Sequence, residues 1–196
     1  MSSSIRIRSQ PYAGIAQIAD MPQARRQSYE FAILQARKLG NSGAVFELET
    51  IGPPPYASVD EMLTTGKWVE RFGGTFYDNL STGKLIWATL STDETNLVDL
   101  LKFGQGNRFS LEQLESEISQ LNLSAQYRSF NVPIFFLLGR YDRHVSAALA
   151  EQYFKKIKAP YKRLIWFEQS AHNPPFEEPI EFDKILIEQV LPLASH

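Results

Sequence analysis

The side chains in this sequence best placed to do chemistry are an aspartate and a histidine, each following an apolar run. Val132-Pro-Ile-Phe-Phe-Leu-Leu-Gly-Arg-Tyr-Asp142 has the length of a buried parallel strand and ends in a turn that carries a carboxylate. A second run, Leu164-Ile-Trp-Phe167, is followed by Ser170-Ala-His172-Asn-Pro-Pro and so delivers an imidazole from the next loop. Loops that leave the carboxyl ends of successive parallel strands share one rim of a sheet, where α/β proteins keep their binding and catalytic groups. An imidazole beside a carboxylate at such a rim is equipment for moving protons near neutral pH.

The surrounding pattern supplies the elements that must hold these groups. From about residue 129 onward the order is strand (Ile134 to Leu138), amphipathic helix (Ser146 to Ile157), strand (Tyr161 to Phe167) and helix (Pro179 to Val190). The last helix carries Phe182, Ile185, Leu186 and Val190 on one side. This β-α-β-α order implies a parallel sheet with right-handed crossovers. An earlier strand is expected at Tyr12-Ala-Gly-Ile-Ala-Gln-Ile18, so the segment between interrupts the sheet.

That segment reads as helical. Between Gln23 and Leu39 the residues Tyr29, Ala32, Ile33, Ala36 and Leu39 recur at spacings of three and four, with Pro22 just before and Gly40-Asn41 as a stop. A shorter helix over Ala44 to Ile51 is closed by Gly52-Pro-Pro-Pro55. Ser58-Val-Asp-Glu61, Ser91-Thr-Asp-Glu94 and Ser110-Leu-Glu-Gln113 each have the form of a capping box, predicting three further helix starts. Between them, Trp68-Val-Glu-Arg-Phe-Gly-Gly-Thr-Phe-Tyr77 is an aromatic turn whose Gly73-Gly74 allows backbone angles closed to other residues; it either lines a pocket or packs between helices.

Composition narrows the function classes. With 196 residues, 43% hydrophobic and 21% charged, the chain can bury a core, and a net charge of −2 with scattered Lys and Arg offers no footprint for nucleic acid or anionic lipid. The absence of cysteine excludes disulfides, a thiol nucleophile and thiolate metal sites. Neither the first ten residues nor any later run has the apolar length of a signal peptide core or a membrane span, which gives the expectation of a soluble, cytoplasmic protein. Residues 1–11 are expected to be disordered.

A strand, a long helical insertion, then Gly-Arg-Tyr-Asp and Ser-Ala-His-Asn-Pro-Pro-Phe-Glu-Glu-Pro resembles the cap and C-terminal part of an α/β-hydrolase-fold serine hydrolase, in the proline iminopeptidase-like branch. Gln35-Ala-Arg-Lys-Leu-Gly-Asn41 and Ile51-Gly-Pro-Pro-Pro-Tyr56 are similar to the first part of such caps, and the resemblance spans about residues 12–190. It implies an α/β fold class: residues 12–18 and 129–196 as a partial core of about three parallel strands, and 19–128 as a helical cap. It also implies that Asp142 is the triad acid and His172 the general base of ester or amide hydrolysis, an N-terminal proline peptide being one such amide, with no cofactor. The implied partner is a small-molecule or short-peptide substrate, with no nucleic acid and no membrane.

The resemblance also shows what is missing. The family's nucleophile sits on a Gly-x-Ser-x-Gly elbow, with oxyanion donors nearby, and this sequence has no such motif. Gly40-Asn-Ser-Gly43 is one residue short of the pattern and reads as a helix-terminating turn. The expectation is therefore a truncated or split hydrolase, inactive alone. The competing reading is a non-catalytic binding or assembly module that associates with an N-terminal half, or with itself, through an exposed sheet edge.

Other candidates carry less. His144 is expected to point away from the strand-end site as an exposed loop residue, and His196 to be a disordered terminus. Three separated histidines without an HExxH pattern give no expected metal site. Glu177-Glu178 before Pro179 reads as a helix start, where carboxylates favour the positive end of the dipole. Glu47, Glu49 and Glu70 are conceivable holders of a substrate amino group but are more simply a solvated helix face.

Overall fold

In a computed structural model, residues 10–78, 80–92 and 96–194 are described, the side chain of Leu97 excepted. Three strands, β1 (Tyr12–Ile15), β2 (Ile134–Gly139) and β3 (Lys162–Phe167), form one parallel sheet in the order β1-β2-β3. Tyr12 is in register with Ile134, and Ile134 with Lys162. All six residues of β2 are buried, as a central strand covered on both faces requires.

The two faces of β2 have separate partners. Ile134, Phe136 and Leu138 pack with Leu149, Ala150 and Tyr153 of α7 (Ala147–Lys156) and with Ala24. Phe135 and Leu137 pack with Phe167, and with Phe182 and Ile185 of α9 (Pro179–Ile185). Helices thus cover both sides of the sheet. The closing segment is less regular than its periodicity predicts: α8 (Pro174–Glu177) precedes α9, and the chain then passes through a π-helical turn at Leu186–Val190 into α10 (Leu191–Ala194).

Between β1 and β2 lie α1 (Met21–Lys38), α2 (Ser42–Ile51), α3 (Val59–Arg71), α4 (Thr82–Leu90), α5 (Leu97–Ile118) and α6 (Leu123–Gln126). The first three share a core of Tyr29, Ala32, Ala36, Ala44, Leu48, Trp68 and Val69. Asp20 caps α1 by accepting from the Gln23 N–H at 3.0 Å, and Pro22 lies in the first turn, where its missing N–H costs nothing. Gly40 and Asn41 do form a helix-terminating turn: Gly40 has φ of +66° and Asn41 caps α2.

The capping boxes fare unevenly. Ser58 caps α3 as expected, although Glu61 reaches back to the Ala57 N–H at 2.7 Å, one residue further upstream. Ser91 ends α4 instead of starting a helix, and its hydroxyl donates to the Trp87 carbonyl; Glu94 lies outside the described residues. Ser110 lies inside α5, whose start is a capping box of Asn96 and Asp99. A Ser-x-x-Gln spacing carries no weight once a helix is already propagating, because an exposed serine is tolerated mid-helix. The aromatic segment is also helical as far as Arg71, and α4, capped by Ser81, is a helix the periodicity missed. Residues 1–9, expected to be disordered, lie outside the described residues.

Candidate active site

The site begins at Gly139, the last residue of β2. A Cβ there would fall 1.8 Å from the Ala171 carbonyl oxygen, so only glycine lets the loop after β3 cross the end of β2. The two loops are then stitched together: Arg140 N–H donates to Phe167 O at 2.9 Å and Tyr141 N–H to Ser170 O at 3.0 Å. This crossing carries Asp142 and His172 to the same point.

Asp142 is almost fully buried, at 2% exposure. One carboxylate oxygen, Oδ1, accepts from the His144 N–H at 2.8 Å and the Val145 N–H at 3.1 Å. The other, Oδ2, lies 3.0 Å from Nδ1 of His172. Hydrogen bonds to the charged form compensate a buried carboxylate for its lost water. An ionised Asp142 can only accept here, which in a neutral imidazole puts the proton on Nδ1 and leaves Nε2 its lone pair. Among the described residues no hydroxyl hydrogen-bonds to Nε2; Ser170, two positions before His172, gives its Oγ–H to Glu178 instead.

The loop around His172 is clamped on both sides. Glu177 Oε2 accepts from the Ala171 N–H at 2.9 Å and the Asn173 N–H at 3.0 Å, while its Oε1 accepts from the Tyr77 N–H. Glu178 accepts from the Gln169 N–H and the Ser170 hydroxyl. The pair expected to start a helix by charge thus ties the histidine loop instead, and neither side chain caps α9. Sequence held no signal for this, because one of the bonded groups lies on the distant Gly73–Tyr77 turn.

That turn docks against both loops. The Thr75 carbonyl accepts from the His172 N–H at 3.0 Å and from Asn173 Nδ2 at 3.2 Å, and Gly74 O accepts from the Arg143 N–H at 2.9 Å. A Cβ on Gly74 would come within 2.8 Å of Arg143 Cβ and of Val69 Cγ1, which explains the glycine. Tyr77 packs on Tyr141 with ring centroids 4.7 Å apart.

His144 is exposed, as expected, but it does not point away from the site. The Asp142 carboxylate pulls the following backbone into a tight turn, and this turns the His144 ring back until it lies 4.7 Å from the ring of His172, centroid to centroid. Its accessible surface opens into a cavity among α1, α3 and α5. Surrounding protein, and next the charge His172 takes on when protonated, push the His144 pKa down to about 4. The accessible edge of the ring tempers the size of that shift without changing its sign.

The remaining candidates are occupied elsewhere. Glu47 bonds Lys67 and Trp68 Nε1, Glu49 pairs with Arg37 at 2.8 Å, and Glu70 accepts from the amide and hydroxyl of Thr82. His196 lies outside the described residues. Among the described residues there is no cluster of three side chains able to hold a metal, and no helix long and apolar enough to cross a membrane.

No family model matches the chain. Of solved structures, proline iminopeptidase of Mycobacterium smegmatis superposes with a TM-score of 0.53 at 10% identity, over 94% of this chain and 57% of that one. The chain carries part of the α/β-hydrolase fold. VinJ gives a TM-score of 0.52 at 12% identity, covering 93% of this chain and 57% of VinJ. A probable aminopeptidase of Bacillus subtilis, YbaC, is 29% identical over 176 residues, which are 89% of this chain and 55% of YbaC. The α/β-hydrolase portion described here therefore spans little more than half the length of the proteins it matches.

Proposed function

We propose that this chain supplies the acid–base pair and the substrate-facing helices of a serine hydrolase that cleaves an ester or amide bond. The supporting observation is the 3.0 Å contact between Asp142 Oδ2 and His172 Nδ1, with the carboxylate buried and its other oxygen held by two backbone N–H groups. In this reading Asp142 fixes the tautomer, and His172 Nε2 takes the proton of a serine hydroxyl as that oxygen attacks the substrate carbonyl. His172 then gives the proton to the departing alcohol or amine. Water repeats the cycle on the acyl-serine, with His172 again the base. The serine and its oxyanion donors belong to a Gly-x-Ser-x-Gly segment that these 196 residues do not contain. The helical segment 19–128 acts as the cap, and the aminopeptidase name of YbaC supports amides among the substrates.

The test is complementation. Co-expressed with the part of YbaC outside the matched region, the chain is expected to hydrolyse p-nitrophenyl esters or aminoacyl p-nitroanilides, and His172→Ala is expected to abolish turnover. Loss of a triad base costs several powers of ten. Alone, the chain is expected to show no turnover above that of His172→Ala. Clear activity of the isolated chain, or complemented activity indifferent to His172, sinks the reading.

A second reading has one observation in its favour. Among the described residues β1 pairs with β2 alone, and Tyr12 and Ile15 on it are 47% and 42% exposed. An unpaired parallel edge recruits another strand. If association through this edge is the chain's purpose, light scattering finds an oligomer that a proline at Ala13 or Ile15 dissociates.

A further inference from the structure

Between α1, α3 and α5 lies a cavity of about 320 Å3 that closes on the β2–α7 loop at His144 and Val145. Met21, Met62, Val69, Leu111 and Ile118 supply its apolar wall. Its size is at the small end of the range for small-molecule sites. Three helices meet here and leave the space unfilled.

The polar groups on the wall are largely engaged. Arg25 binds the Glu115 carboxylate through both terminal nitrogens, so its charge is cancelled at the rim. Ser28 Oγ bonds the carbonyls of Arg143 and His144 at 2.6 and 2.9 Å, and the Tyr56 hydroxyl donates to Thr65 Oγ1 at 2.8 Å. Among the described residues no aspartate or glutamate lines the cavity, and the Arg25 guanidinium is already bound to Glu115. A ligand with a protonated amine would therefore lose water and gain no counter-charge, and a carboxylate would have to compete with Glu115. His144 adds no charge near neutral pH, because its surroundings favour the neutral ring.

Gly66 is the second observation. It lies in the interior of α3, faces the cavity, and a Cβ built on it meets nothing within 4 Å. Glycine inside a helix costs about 1 kcal/mol relative to alanine. Here that cost leaves open a volume that any larger side chain would occupy.

We propose that this cavity binds an uncharged, apolar ligand segment of the acyl-chain class, with the His144 ring as the wall it shares with His172. The assignment takes the hydrolase reading as its basis, the ligand being the acyl part of the substrate. It concerns substrates whose acyl part is apolar, such as p-nitrophenyl esters of fatty acids; the ammonium group of an aminoacyl substrate would need a carboxylate outside this cavity. Asn107, Thr65 and His144 are among the groups on the wall able to bond a ligand carbonyl.

The experiment uses the purified chain and 2-decanone, which is uncharged and cannot be hydrolysed, with decylammonium and decanoate as charged counterparts. Calorimetry is expected to show saturable binding of the ketone, with at least ten-fold weaker binding of both ions. In proton NMR the ketone is expected to shift the His144 ring signals, assigned with His144→Phe. Gly66→Leu is expected to weaken binding at least ten-fold without lowering Tm, and Leu111→Trp to do the same from the opposite wall. Ketone binding that is absent, equal for the charged probes, or unchanged in both filled variants overturns the proposal. Turnover of the complemented enzyme without ketone binding would reject the cavity and keep the hydrolase. Ketone binding without turnover dependent on His172 would keep the cavity as an apolar site and reject its role for a substrate.

Discussion

β2 and α5 are opposites. Every residue of β2 is buried between two layers, whereas none of the described side chains of α5 is, and Leu101, Phe103 and Phe109 are more than 60% exposed. The strand places Asp142 and receives the crossing of the histidine loop. The helix contributes one wall of a cavity and is tied to its neighbours by ion pairs, Arg25 with Glu115 and Arg108 with Asp60. Asp142 and His172 thus sit on the most constrained part of the molecule and the cavity on the least, so the geometry of the pair is held while the cavity walls have fewer packing contacts to fix them.

The contrast can be broken by substitution. The largest effect is expected at Phe136, 2% exposed in β2: Phe136→Ala should cost about 3–5 kcal/mol in chemical denaturation, against under about 0.5 kcal/mol for Phe103→Ala on α5. Equal losses would mean that α5 is covered in solution. Next comes Gly139→Ala, which drives a methyl group into the Ala171 carbonyl and should cost about 2 kcal/mol or more. The His172 ring signals should also lose their dependence on Asp142→Asn, because the loop crossing is lost.

Smaller but more local is Glu177→Ala, which strips the N–H groups of Ala171, Asn173 and Tyr77 of their acceptor. A loss of about 2 kcal/mol is expected, with faster hydrogen exchange at those three amides than at β2. The smallest effect is the pH response of His144. Its folded pKa lies below the unfolded value near 6.5, because surrounding protein and then the His172 charge disfavour the protonated ring, so the unfolded chain binds the extra proton just below that value. The contribution is full above pH 6.5 and is lost as pH falls below it. Denaturation midpoints of wild type and His144→Phe should therefore diverge below that pH, with the variant losing less stability; parallel curves would place the His144 ring in ordinary solvent.

What was legible in the sequence was local and apolar. The runs ending at Gly139 and Phe167 announce a parallel sheet because two short apolar stretches separated by a helical pattern read as the strands of a β-α-β unit, and Asp142 and His172 follow from being next in the chain. The helical character beyond Phe72 was legible but the helix starts were not, since serine-led spacings recur inside α5 as readily as at helix starts. His144 was missed because its direction depends on a carboxylate two residues away accepting its own N–H. Glu177 was missed because the Tyr77 amide it holds comes from the other end of the fold.

The Thr75 carbonyl, shared by the His172 amide and the Asn173 side chain, has a mechanical consequence. The helical segment cannot swing away from the sheet as one rigid flap without breaking the Thr75 bonds to the His172 amide and the Asn173 side chain. Residues 72–77 latch the insertion to the histidine loop, whereas α5 meets α1 and α3 through the ion pairs Glu115–Arg25 and Arg108–Asp60.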